Sequence, residues 1–208
     1  MTEAREMART IRESHGYPRH LRPAEVAKLI RPRLKKVFPG TKFSVRTETY
    51  SGGASINVQW TDGPSEDAVR EVVGAFQGAR FDGMIDLGYS VDHWLLPDGT
   101  VQVAIDRGTE DSRGTRPAHS TAKPHEDAEL VSFGTLYVSP SRTVSPALAR
   151  KVLAKLAERW GFEAPEVEEG YRGGWRFVDP SASNLRVGGE YLTDLYWREV
   201  KGLNEEEA

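Results

Sequence analysis

Two runs of period-two alternation joined by a glycine turn constrain this chain more than any other feature. Phe43, Val45, Thr47 and Thr49 alternate with Lys42, Ser44, Arg46 and Glu48, and beyond Ser51-Gly52-Gly53 the pattern resumes with Ile56, Val58 and Trp60. Successive strand side chains point to opposite faces, so the pattern predicts a β-hairpin with one apolar face. An isolated hairpin is not stable in water, so that face needs cover. Upstream, Pro23 suits the first position of a helix, and Val26, Ile30, Leu34 and Val37 recur on one helical face up to Phe38-Pro39-Gly40. Pro32 lies inside that helix, where a missing backbone donor predicts a kink or a broken turn. Downstream, Asp62-Gly63-Pro64 ends the hairpin and Ser65 can cap a second helix. In that helix Glu66 and Asp67 complement the positive end, Val69, Val72, Val73 and Phe76 form the apolar stripe, and Gly78 closes it.

A second hairpin is predicted from Tyr89 to Leu96, through a Pro97-Asp98-Gly99 turn, to Val101, Val103 and Ile105. These elements make residues 21–107 one α/β module of helix, β-hairpin, helix and β-hairpin. Residues 1–20 read as a polar N-terminal helix or arm capped by Thr2 and stopped by Gly16. Residues 108–128 lack apolar periodicity and read as a linker or long loop. Residues 129–208 read as a smaller α/β lobe: a strand over 130–138, a helix capped by Ser145 with Pro146 in its first turn, and glycine-rich strands near 173–178 and 185–191. The segment from Thr193 to Leu203 fits either a closing helix or an aromatic strand. Tyr50-Ser51-Gly52-Gly53 and Tyr171-Arg172-Gly173-Gly174 follow the same order of elements, which fits either a duplicated unit or two unrelated glycine turns. The expected class is α+β.

Composition narrows the function classes. The chain has no cysteine, which excludes disulfides, thiol catalysis and cysteine-held metals. It has no apolar run near membrane-spanning length and no apolar signal segment at its start, so a cytoplasmic protein without membrane contact is expected. The net charge of −3 hides an asymmetry: Met1 to Arg46 holds 12 Lys/Arg against 4 Asp/Glu, leaving 16 against 27 for the remainder. A cationic first part joined to an anionic remainder points to an electrostatic contact surface.

Several ordered strings resemble one family. They are Val26-Ala27-Lys28-Leu29-Ile30-Arg31, Phe38-Pro39-Gly40-Thr41-Lys42-Phe43-Ser44-Val45-Arg46, Tyr50-Ser51-Gly52-Gly53-Ala54-Ser55-Ile56, Trp60-Thr61-Asp62-Gly63-Pro64 and Phe76-Gln77-Gly78-Ala79-Arg80-Phe81-Asp82-Gly83-Met84. Over about residues 21–90 the chain resembles the large polyvalent protein-associated domain of type twenty-nine. The resemblance implies an origin in phages or conjugative elements, whose polyvalent proteins string together many domains that help incoming DNA survive in a new host. It implies no reaction and no catalytic residue. Pro32 departs from the pattern, standing where an ordinary helix former is expected.

Three chemistries compete. Lys28, Arg31, Lys35 and Lys36 lie away from the apolar helical stripe, and Lys42 and Arg46 can extend that cationic surface along the adjoining strand, as nucleic-acid phosphates require. Tyr50, Phe43 and Trp60 could stack on bases only if exposed, and alternation assigns Phe43 and Trp60 to the core. The acidic set Glu163, Glu166, Glu168 and Glu169, with the tail Glu205-Glu206-Glu207, could instead occupy a cationic groove of a host defence protein and inhibit it. Asp82, Asp86, Asp92 and His93 could bind a divalent ion or act as acid and base, although Asp82-Gly83 is also a turn signal and no recognised metal spacing occurs. His119 and His125 with Glu126 and Asp127 are a poorer candidate, being placed in the expected loop. The expected function is a non-catalytic accessory protein of a phage or mobile element that binds nucleic acid through the basic helix, without a cofactor. The alternatives are an inhibitor of a host defence complex and a small metal-dependent enzyme using Asp82, Asp86 and His93.

Overall fold

The computed structural model describes residues 3–108 and 119–203. The expected Thr2 cap, residues 109–118 of the expected linker and the acidic tail at Glu205-Glu206-Glu207 lie outside the described residues. In chain order the elements are α1 (Glu3–His15), β1 (Arg19–Leu21), α2 (Pro23–Val37), β2 (Ser44–Tyr50), β3 (Gly53–Thr61), α3 (Glu66–Val73), β4 (Ala79–Asp82), β5 (Leu87–Leu95), β6 (Val101–Asp106), β7 (His119–Ser120), β8 (Glu129–Phe133) and β9 (Tyr137–Thr143). They continue with α4 (Pro146–Trp160), β10 (Val167–Glu169), β11 (Trp175–Phe177), β12 (Arg186–Val187), β13 (Glu190–Tyr191) and α5 (Leu192–Gly202). The class is α+β, and the closing segment is a helix.

The chain divides into two compact units. One comprises the chain up to Val37, Val45–Val58 and Glu71–Ser139; the other comprises Phe38–Ser44, Gln59–Arg70 and the chain from Pro140 onward.

In the first unit β5 organises the larger sheet. Along one edge it pairs antiparallel with β6. Along the other, its first half pairs with β4, from Ala79 opposite Ser90 to Asp82 opposite Leu87, and its second half pairs with β8, from Asp92 opposite Ser132 to Leu95 opposite Glu129. β1 adds to β8 in parallel and β7 to β6 antiparallel. The expected second hairpin is present as β5 and β6, while β1, β4 and β7 are strands of two to four residues without apolar alternation. Trp94, Ala104, Ile105, Ala128 and Leu130 form a core that Ala8 of α1 completes. Within the stretch expected as a linker, Thr121 donates its N–H to the Ala104 carbonyl at 3.0 Å and accepts the Trp94 indole N–H at 3.2 Å. The strand expected over 130–138 is two strands, β8 and β9, broken at Gly134.

Gly78, expected to close the second helix, has a different task. α3 ends at Val73 and passes through a single 3-10 turn, Gly74–Phe76. Gly78 then sits where β4 gives way to β8 beside β5: its N–H donates to Thr135 and its carbonyl accepts from Val91, both at 2.9 Å. A Cβ there would lie 2.3 Å from the Phe133 carbonyl oxygen and 2.8 Å from that of Thr135. Backbone hems the position on two sides, so only glycine fits.

In the second unit α4 and α5 bury Leu148, Val152, Leu156, Leu192, Leu195 and Tyr196 together. α4 starts as its sequence predicts, with the Ser145 hydroxyl accepting the Leu148 N–H at 3.2 Å and Gly161 in the left-handed conformation (φ 70°) at its end. Ser145 is itself gripped: the Asp62 carboxylate accepts its N–H at 2.8 Å and its hydroxyl at 2.7 Å. Two short hairpins, β10 with β11 and β12 with β13, complete the unit. Of the two similar glycine strings, Tyr50–Gly53 forms the turn between β2 and β3, whereas Tyr171–Gly173 forms a 3-10 turn between β10 and β11 with Arg172 at φ 55°.

Gly78→Ala is expected to lower stability by about 2 kcal/mol, or roughly 6 °C in melting temperature. Gly74→Ala is the control in the same thermal melt and is expected to leave it unchanged, because a Cβ at Gly74 meets nothing within 4 Å among the described residues.

Candidate nucleic-acid interface

α2 owes its direction to burial. Val26, Ala27, Ile30 and Leu34 are buried on one side, and Glu25 in the first turn accepts the Arg22 N–H at 2.9 Å. The helix runs unbroken through Pro32, which is exposed, as is Lys28, whose carbonyl lacks the proline's donor; water can serve that carbonyl.

Lys28, Arg31, Lys35, Lys36, Lys42 and Arg46 are all exposed, and none of the six enters an ion pair among the described residues. Their grouping is narrower than their spacing in sequence. At about 100° per residue, Lys28, Arg31 and Lys35 fall within about 60° of one another on one flank, and Lys36 lies about 100° beyond Lys35. Arg31 is tied down, its Nη2 donating to the Val45 carbonyl at 2.8 Å, and this bond sets α2 beside β2, where Arg46 follows. Lys36 keeps different company. The Asp98 carboxyl in the β5–β6 turn is held below its usual range chiefly by hydrogen bonds from Thr100, with smaller contributions from Lys36 and Arg33. Lys42 falls in the Phe38–Ser44 segment, which belongs to the second unit. The cationic face of the first unit is therefore Lys28, Arg31, Lys35 and Arg46, with Lys36 on the far flank.

Of the three aromatic candidates only Tyr50 is available for stacking, at 49% exposure. Trp60 is buried with its indole N–H donating to the Pro64 carbonyl at 3.0 Å, and Phe43 is half-buried between the rings of Phe38 and Trp60.

The acidic cluster does not assemble as a site. Asp92 is buried and pairs with Arg107 at 2.6 Å. Asp82 is buried and accepts the Met84 N–H at 2.9 Å, making the turn that its Asp-Gly sequence announces. Asp86 is exposed in that turn at φ 53°. His93 is buried against Phe133, ring centroids 4.6 Å apart, and its Nδ1 has no hydrogen-bond partner among the described residues. Val91 to Trp94 are buried without a break, so both faces of β5 are covered there, and a register shift falls between Asp92 and His93. Among the described residues no group of three or more His, Cys, Asp or Glu side chains could hold a metal ion. His125, with His119 the other loop candidate, accepts the Asp127 N–H at 3.0 Å in an exposed turn. The acidic residues Glu163, Glu166, Glu168 and Glu169 are all exposed, and Glu168 pairs with Arg176 at 2.7 Å.

Sequence reasoning missed a second buried pair, Arg80 with Asp106 at 2.6 Å. Arg80 belongs to β4 and Asp106 to β6, so the pair spans β5 between them. Its one visible signal was the acid at the end of the Val101-Val103-Ile105 alternation.

A family model described as large polyvalent protein associated domain 29 matches residues 21–145. The chain belongs to this family. The match covers more than half the sequence and takes in α2, the β2–β3 hairpin, α3 and all of β4 to β9, well beyond the strings that carry the resemblance. Membership associates the protein with phages or mobile elements. No curated protein and no solved structure matches the chain. No helix among the described residues is long and apolar enough to cross a membrane.

Within the family domain His93 has a measurable signature. Burial, with a smaller contribution from the Arg80 charge, pushes its pKa down to about 4. The unfolded chain takes up this proton near pH 6.5 and the folded chain only near pH 4, so stability falls with pH through that window. Between pH 7.5 and pH 5 the expected loss from His93 is about 2 kcal/mol. Chemical denaturation of the wild type and His93→Leu at both pH values checks it: the variant, less stable at pH 7.5, is expected to lose that much less on acidification.

Proposed function

We propose that this protein is a non-catalytic accessory protein of its phage or mobile element that binds nucleic acid through α2. The observation that carries the reading is the flank of Lys28, Arg31 and Lys35, exposed and without ion pairs among the described residues, on a helix whose opposite side is anchored in the first unit. Three cations along one helical flank can replace the counterions condensed on phosphates, and this binding is indifferent to sequence. Arg46 beside the Arg31–Val45 contact lengthens the face, and Tyr50 at the end of β2 offers a ring to an unpaired base. Asp92 is neutralised by Arg107 and Asp106 by Arg80, so neither supplies an exposed general base.

Fluorescence anisotropy with labelled duplex and single-stranded oligonucleotides at two salt concentrations tests the reading. The expected result is binding at low salt with a log–log salt slope of about −3 on duplex, becoming shallower by about 2 when Lys28 and Lys35 are both changed to Glu. Absence of binding at low salt, or unchanged binding by the double variant, would rule the reading out.

A further inference from the structure

We propose that β2 is the contact strand of a homodimer, pairing antiparallel with β2 of a second copy about Thr47. This inference is independent of the nucleic-acid reading. β2 ends its sheet, whose strand order is β2-β3-β9. Its residues Arg46, Thr47, Glu48, Thr49 and Tyr50 are all exposed, a run in which both faces and the outer edge meet solvent.

The Arg31–Val45 hydrogen bond tells which backbone groups face outward. The Val45 carbonyl accepts a side chain of α2 at 2.8 Å, so it points away from β3. Outward direction alternates along a strand, so the N–H and C=O groups of Thr47 and Thr49 share it. Among the described residues the outward groups of Thr47 and Thr49 have no hydrogen-bond partner, which makes this part of the strand a template for another strand.

Charge selects the partner and the register. Arg46 and Glu48 lie on one face of β2 and flank Thr47. When two copies pair antiparallel about Thr47, each Arg46 stands directly opposite the partner's Glu48, which gives two opposite-charge pairs related by the two-fold axis. Centring on Arg46 or on Glu48 instead sets a like charge against itself, and centring on Thr49 leaves both charges without an opposite partner. In the favoured register Thr47 meets its own copy in a pair that exchanges both backbone hydrogen bonds. Val45 meets the partner's Thr49, and the second lone pair of the Val45 carbonyl remains available beside Arg31.

Sedimentation equilibrium of the full chain, without nucleic acid, tests this directly and does not depend on whether nucleic acid binds. The expected result is a reversible monomer–dimer equilibrium at concentrations up to about 500 µM, as suits a small interface. Arg46→Glu and Glu48→Arg, each placing like charges opposite at both crossings, are each expected to weaken dimerisation by about tenfold or more. The double variant R46E/E48R restores the complementarity and is expected to recover it to within about threefold of wild type. Thr47→Pro removes an outward N–H, leaves pairing with β3 possible and is expected to abolish the dimer, with circular dichroism verifying that the variants are folded. A wild type that stays monomeric, a dimer indifferent to Arg46→Glu and Thr47→Pro, or a double variant no better than the single ones would overturn the proposal.

Discussion

The first unit depends on one strand serving three others. β5 pairs with β6 over Val91–Leu95 on one side and divides its other side between β4 and β8. Such a division leaves a gap where one partner stops and the next begins, and backbone polar groups in a gap cannot be left dry. Gly78 closes it by accepting from Val91 and donating to Thr135. Replacing its hydrogen with any side chain forces two carbonyls apart, so the larger sheet of the first unit rests on a position that only a residue without a Cβ can fill.

Charge reinforces that arrangement at some cost. Asp92 and Asp106 are buried, and removing either arginine would leave a carboxylate stranded in a poorly polarisable interior. The two pairs differ in reach. Arg107 returns to the strand beside its own, where it binds the Asp92 carboxylate, the Ser90 carbonyl and the Ser90 hydroxyl. Arg80 passes over β5 to Asp106 and so links two strands that are not neighbours. An apolar substitute could fill the same volume, but it would not specify which strand lies at which distance from β4. Burial, helped by the Arg80 charge, keeps His93 neutral, which is why it behaves as a core ring rather than as a base.

What could be read in advance followed a simple division. α2, α3, the β2–β3 hairpin and the Ser145-capped α4 carry their own periodicity, caps and turns, and they stand where the pattern puts them, except that α3 ends at Val73, before its expected close. β1 could not be read, because three residues hold no period and its partner β8 lies more than a hundred residues away. Asp92 and His93 looked like a reactive cluster because alternation assigns one of any adjacent pair to solvent; here both faces of β5 are covered, by chain that a period-two rule cannot foresee, so both are buried. Within the cationic face the helical wheel already grouped Lys28, Arg31 and Lys35. The attachment of Arg31 to Val45 and the approach of Lys36 to Asp98 depended on chain folding back from elsewhere.

The clasp between Asp62 and Ser145 has a consequence for how the chain is made. The family match stops at Ser145, the residue that caps α4, and the carboxylate that grips it lies 83 residues earlier. A ribosome releases Asp62 long before it releases α4. When Ser145 emerges, the acceptor for its N–H and hydroxyl is already waiting. The hydroxyl proton goes to Asp62, which leaves the Ser145 lone pairs for the Leu148 N–H. The costly first turn of the helix can then be nucleated by chain already synthesised, before the rest of α4 and all of α5 have been added.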